Sequence, residues 1–177
     1  MDKNIKLNIA VLTISDSRTK KTDKSGNLLE DLIKSSGHAV VERNIVKDNI
    51  YSIRKIISEW IDKESINAVI TTGGTGVTGR DGTPEAIEVL LDKKIEGFGE
   101  IFRYISYKKI KTSTIQSRAL AGVSNSTYIF CLPGSPSACK DGWDDILVHQ
   151  LDIRHKPCNF VEIMPRLLEH KISRIKS

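Results

Sequence analysis

The chain has 177 residues, 39% of them hydrophobic, which is enough for one sizeable core, so residues 1–177 are expected to form a single domain with its core over about 8–160. Its net charge is +5, but 22 acidic residues are mixed among 27 basic ones and only 6% are aromatic, which argues against a nucleic-acid partner and for a small anionic ligand. No window reaches the ~18 apolar residues of a membrane span, and Cys131, Cys139 and Cys158 form no C-x-x-C pair, so no membrane partner and a reducing, cytoplasmic location are expected.

Taken in order, Ile9-Ala10-Val11-Leu12-Thr13-Ile14 has the near-continuous apolar character of a strand covered on both faces, and it ends in Ser15-Asp16-Ser17-Arg18. Ser25 is placed to cap a helix carrying Leu28, Leu29, Leu32 and Ile33, with Gly37 closing it. A second strand, between Ala39 and Val46, has polar interruptions that put it nearer a sheet edge. Asp48 stands at the start of the next helix, in which Ile50, Ile53, Ile57, Trp60 and Ile61 form one buried stripe. Ile66-Asn67-Ala68-Val69-Ile70 then reads as a third strand, and it runs straight into a glycine-rich loop.

That loop, Thr71-Thr72-Gly73-Gly74-Thr75-Gly76-Val77-Thr78-Gly79-Arg80-Asp81-Gly82-Thr83-Pro84, is a natural cradle for phosphate oxygens, because glycines let backbone N–H groups turn toward a ligand. From Gly74 to Gly79 it satisfies the dinucleotide G-x-G-x-x-G pattern, but that motif opens a helix at its last glycine. Here Pro84 sits at the first helical position with Thr83 as N-cap, too late for such a turn. Arg80-Asp81 stands where a Walker loop needs Lys and Ser or Thr, which disfavours an NTPase.

Ile87, Val89, Leu90 and Leu91 read as the apolar face of the helix after the loop, and Ile101, Phe102, Ile105 and Ile110 as that of another. Thr112-Ser113-Thr114-Ile115-Gln116-Ser117-Arg118 opens a short helix, and Tyr128-Ile129-Phe130-Cys131-Leu132 is a fourth clear strand. Ser135 then caps a long helix with Pro136 at its first position and Cys139, Trp143, Ile146, Leu147 and Leu151 facing inward. Residues 171–177 read as a frayed basic tail, and His38, His149, His155 and His170 lack metal-ligand spacing.

Strand and helix in alternation imply a mainly parallel sheet between helical layers, a three-layer αβα fold, with ligands outside the carboxyl ends of the strands. Ser15-Asp16, Asp48, the glycine loop and Gly134-Ser135-Pro136-Ser137 all fall at those ends and are expected to share one rim. Each has a plain structural alternative: Asp48 as an N-cap, Asp16 as an Asx turn, Ser135-Pro136 as capping only. A carboxylate beside a phosphate cradle repels phosphate unless a cation intervenes, so Asp48 and Asp81 suggest a Mg²⁺ site and phosphoryl or nucleotidyl transfer.

Ile14-Ser15-Asp16, Thr71-Thr72-Gly73-Gly74-Thr75-Gly76, Arg80-Asp81-Gly82-Thr83-Pro84-Glu85-Ala86, Gly97-Phe98-Gly99-Glu100, Gln116-Ser117-Arg118 and Leu132-Pro133-Gly134-Ser135-Pro136 together resemble the molybdopterin-binding family of molybdenum cofactor biosynthesis, from about Ile9 to Phe160. Ile45-Val46-Lys47-Asp48-Asn49 and Arg154-His155-Lys156-Pro157-Cys158-Asn159-Phe160 are most similar to its B-type branch. The resemblance implies a homotrimer or homohexamer, with other proteins of the pathway as further candidate partners. It also implies transfer of AMP from MgATP to the terminal phosphate of molybdopterin. By position, Asp48 and Asp81 match the family's catalytic and Mg²⁺-binding pair. Thr72, Gly73, Gly74, Thr75 and Gly76 match its phosphate and pterin loop, while Ser15, Asp16, Ser117, Gly134, Ser135, Pro136 and Ser137 match other pocket-lining positions. The alternative is a non-catalytic molybdopterin- or nucleotide-binding subunit of the same pathway.

Overall fold

The computed structural model describes residues 4–172. Strand β1 (Asn8–Ile14), buried on both faces from Ile9 onward, lies between β2 (Ala39–Val46) and β3 (Ala68–Thr72) and is parallel to both. Strand β6 (Thr127–Leu132) extends the parallel run beside β3. There the direction changes: β5 (Leu120–Ser124) pairs antiparallel with β6, and the two-residue β4 (Lys93–Lys94) antiparallel with β5, giving the order β2-β1-β3-β6-β5-β4. The mainly parallel sheet with β2 at its edge agrees with the sequence reading, whereas the antiparallel extension does not figure in it. Its hairpin turns on Asn125 and Ser126, at φ of 44° and 72°, a two-residue turn whose Asn-Ser sequence signals a hairpin less strongly than Asn-Gly.

Helices cover both faces. On one side α1 (Lys24–Ser35), α4 (Glu96–Ile110) and α5 (Pro136–Gly142) bring Leu29, Ile33, Phe98, Phe102 and Cys139 into one core with Ile9 and Val11 of β1, Ile70 of β3 and Phe130 of β6. On the other, α2 (Ile50–Ile61) and α3 (Thr83–Glu88) bring Ile53, Ile57, Trp60, Ala86 and Ile87 into a second core with Ala10, Leu12 and Ile14 of β1, Val69 of β3 and Ile129 of β6. The alternation along β1 is the two-residue period of a strand dividing its side chains between two cores. Helix α5 continues through a π-helical turn, Trp143–Leu147, into α6 (Val148–Gln150), and the short α7 (Phe160–Ile163) and α8 (Glu169–Ile172) follow. Among the described residues no helix is long and apolar enough to cross a membrane.

Several local expectations are corrected. The cap of α1 is Asp23, whose side chain accepts from the Gly26 N–H at 2.9 Å, and not Ser25, which lies inside the first turn. Its far end is as expected: Gly37, at φ +88°, donates to the Lys34 carbonyl while His38 donates to that of Ile33, the paired bonds of a left-handed C-terminal stop. Helix α2 is capped by Asn49 and not by Asp48. Thr83 is inside α3 and not its cap, and α3 stops at Glu88, leaving Val89 66% exposed. On α4 the buried residues are Phe98, Gly99, Phe102 and Ser106, while Ile101 and Ile110 point outward. The segment expected as a short helix is a 3-10 turn, Lys111–Gln116, and the basic tail lies almost wholly outside the described residues. Ser135 does cap α5, accepting from the Ala138 N–H at 3.2 Å, with Pro136 first in the helix.

Candidate active site

The glycine loop begins where β3 ends, and it is pinned on both sides. Gly73 donates to the Leu132 carbonyl at the end of β6, while Thr83 donates from its N–H to the Gly74 carbonyl and from Oγ1 to that of Gly73. Gly73 and Gly74 take φ of +104° and +64°, which side chains disfavour. Close approach matters as much as conformation. A Cβ on Gly74 would lie 2.7 Å from Asp48 Oδ2, and one on Gly76 2.7 Å from Asp81 Oδ2, so both carboxylates pack directly on bare loop backbone.

A cavity of about 510 Å³ opens beside this loop at the carboxyl ends of β1, β3 and β6. Of the residues singled out from sequence, Ser15, Thr72, Gly73, Gly74, Thr75, Gly76, Asp81, Ser117, Gly134 and Pro136 line it. Asp48, Asp16, Ser135 and Ser137 do not. Asp48 abuts the loop at Gly74, and Asp16 accepts from the Asp48 N–H at 3.3 Å while pairing with Arg80. The hydroxyls of Ser135 and Ser137 meet each other at 3.2 Å over the start of α5, so that turn reaches the cavity through Pro133, Gly134 and Pro136 instead. The sequence reading missed Thr13, Arg18, Asp23, Lys24, Ser25 and Gln116 in the lining. Asp23 and Ser25 carry a signal in sequence, cap-forming types just before an apolar helix, but nothing there says which one caps or that both line a cavity.

Asp23 is 1% exposed and belongs to the scaffold. It accepts from Thr13 Oγ1 at 2.7 Å, from the Gly26 N–H and from Arg43 at 2.6 Å. Burial alone would raise its pKa, but these donors outweigh it and hold the carboxyl below its ordinary value. Ser25, freed from capping, donates to the Gly134 carbonyl at 2.7 Å and ties α1 to the turn after β6. The Ser117 hydroxyl is buried with no hydrogen-bond partner, on the cavity wall, where a ligand's polar atom would satisfy it.

The two acids against the loop are shifted in opposite directions. Desolvation raises the Asp48 pKa, and the like charges of Asp81 and Asp16 add to it, against the Gly82 N–H at 3.2 Å and Arg80. Asp81 is held low chiefly by Thr78, which donates from Oγ1 at 2.6 Å and from its N–H at 2.9 Å. Among the described residues no group of three or more His, Cys, Asp or Glu is arranged to hold a metal. Two carboxylates nevertheless suit Mg²⁺, which takes one or two protein oxygens and fills its remaining positions with substrate phosphate and water. The crowding of negative charge around Asp48 is what a divalent cation relieves. The dinucleotide pattern finds no support, since α3 starts at Thr83, well after Gly79.

A sequence model described as a probable molybdopterin binding domain matches residues 10–153. Molybdenum cofactor biosynthesis protein B of Escherichia coli K12 is 50% identical over 152 residues, 86% of this chain and 89% of its own. A crystal structure of a molybdenum cofactor biosynthesis protein B aligns with a TM-score of 0.85 at 38% identity, covering 95% of this chain and 99% of that one. The tungsten cofactor synthesizing protein MoaB from Pyrococcus furiosus aligns at 0.71 and 32% identity, covering 93% of this chain and 96% of its own. With the family pattern matched across the sheet, the loop and the cavity wall, the chain belongs to the family of molybdopterin-binding domains that includes the molybdenum cofactor biosynthesis B proteins.

Proposed function

We propose that this protein is a molybdopterin adenylyltransferase of molybdenum cofactor biosynthesis, moving AMP from ATP to the terminal phosphate of molybdopterin and releasing pyrophosphate. The observation that carries this reading is the packing of both Asp48 and Asp81 on the backbone of one glycine loop, beside a cavity of about 510 Å³. A cavity of that size suits a ligand of cofactor dimensions.

In this reading an oxygen of the molybdopterin phosphate attacks the α-phosphorus of ATP in line. The bond from that phosphorus to the bridging oxygen of the β-phosphate breaks, and pyrophosphate leaves with its electrons. The loop orients the phosphates through backbone N–H groups, Ser117 offers its unpaired hydroxyl, and Arg18 and Lys24 put positive charge at the cavity wall. Asp48 and Asp81 would hold Mg²⁺, which when bound supplies positive charge opposite the polyphosphate. No side chain needs to form a covalent intermediate.

The same reading includes a homotrimer or homohexamer. Its support is the outward face of α4, where Ile101, Tyr104, Tyr107 and Ile110 are all at least half exposed, with Ile115 of the following turn beside them in sequence. Such an apolar run on one helix is costly to leave in water.

The decisive experiment is incubation of the protein with molybdopterin and MgATP alone, followed by analysis for adenylylated product and pyrophosphate. Both are expected. Asp48→Ala and Asp81→Ala should each lower turnover by about 100-fold or more while molybdopterin still binds. Molybdopterin binding by the wild-type protein with no product would replace the enzyme with a non-catalytic binding subunit.

A further inference from the structure

We propose that Arg118 is a positioning residue that sets the glycine loop and, through it, both aspartates. It stands at the junction between the 3-10 turn and β5, directly after Ser117, and reaches back over the loop. Its own N–H donates to the Thr75 carbonyl at 3.1 Å, Nε to the Gly76 carbonyl at 2.7 Å and Nη2 to the Asp81 carbonyl at 2.6 Å, while Nη1 pairs with the Glu85 carboxylate. These contacts fall on both sides of the loop tip, residues 77–80.

The peptide plane turns these contacts into a mechanism. In a trans peptide the C=O and the following N–H point in opposite directions, so fixing one aims the other. The peptide joining Asp81 to Gly82 gives its C=O to the Arg118 guanidinium and its N–H to Asp48 Oδ1 at 3.2 Å. The peptide joining Thr75 to Gly76 gives its C=O to the Arg118 N–H, and the Asp81 carboxylate packs against Gly76, whose N–H helps hold that carboxyl below its ordinary value. Arg118 is therefore one peptide unit away from each acid, on separate paths. A hydrogen bond at the C=O end also polarises the peptide and strengthens the bond its N–H makes.

The bond to Thr75 belongs to the main chain, but only arginine can make the other three. The guanidinium is a rigid planar fork with five donors, and three of its edges are used here on targets fixed by different parts of the loop. Lysine brings one compact charge that cannot span Gly76, Asp81 and Glu85 together. Arg118 hydrogen-bonds neither aspartate side chain and does not line the cavity, so its role is to place, not to react.

The catalytic consequence rests on the adenylylation reading; the structural one does not. In the full chain, Arg118→Lys and Arg118→Ala are each expected to lower turnover with molybdopterin and MgATP by about 100-fold, the scale at which small misplacements act. Millimolar guanidinium should restore part of the loss in Arg118→Ala, where the vacated space accepts it, and none in Asp81→Asn. Hydrogen exchange should quicken at amides 74–82 in both variants and stay unchanged in β1. Wild-type turnover and wild-type exchange in Arg118→Lys would overturn the proposal, and that variant decides alone if Arg118→Ala does not fold. If the wild-type protein makes no adenylylated molybdopterin, the adenylylation reading fails by itself, and exchange at 74–82 with molybdopterin affinity still judges Arg118.

Discussion

Two adjacent residues, Asp48 and Asn49, divide work that the sequence leaves undivided. Asn49 Oδ1 accepts from the N–H groups of Tyr51 at 3.1 Å and Ser52 at 3.0 Å, which completes the cap and leaves the Asp48 carboxylate to turn back to the Gly82 N–H. Ionised Asp48 is then a liability to the fold. Its folded pKa is raised, first by desolvation, so its contribution to stability is full below the unfolded pKa and is lost as pH rises through the folded one. Asp81 is the reverse: with its pKa lowered mainly by Thr78, its contribution is present above the unfolded pKa and is lost as pH falls through the folded one. At neutral pH Asp48→Asn should therefore raise the urea midpoint and Asp81→Asn should lower it, although on the proposed reading both would lower turnover. Both differences should shrink below the ordinary carboxylate range. A fall in midpoint for Asp48→Asn at neutral pH would remove the argument that its charge is kept for function.

At the level of elements, α2 presents the apolar stripe that its period predicts, so Ile53, Ile57 and Trp60 are buried and its stability rests on packing plus one cap. Asn49→Ala should cost about 1 kcal/mol, measured by urea denaturation, without moving the strands. The same periodic reading misleads on α4. Apolar residues all round this helix match a buried face at Phe98 and Phe102, but also an exposed one at Ile101 and Tyr104, and a hydrophobic count does not separate the two. Strand β5 is missed for a related reason. Leu120-Ala121-Gly122-Val123-Ser124 is short and rich in small residues, and its strand character comes from pairing with β6 on one side and β4 on the other.

For the molecule as a whole, the proposed homo-oligomer makes one direct prediction. Introducing charge on the outward face of α4, as in Ile101→Glu with Tyr104→Glu, should shift the mass seen by light scattering toward the monomer, with the far-ultraviolet circular dichroism unchanged. An unchanged mass would direct the search for a subunit interface away from α4. Hydrophobic periodicity and glycine spacing are local properties of the chain, and they sufficed for the alternating strands and helices, the edge position of β2 and the place of the loop at the end of β3. Where a residue lies among several candidates of the same type depends on distant partners. That Asp23, held by Thr13 of β1 and Arg43 of β2, caps α1 and not Ser25, that Asp48 after β2 faces Gly82, and that Arg118 before β5 reaches carbonyls some 40 residues before it were decided only when the sheet assembled on both sides of β3. Backbone donors and acceptors in the buried part of a loop must be satisfied, and which distant side chains satisfy them is fixed by the assembled sheet.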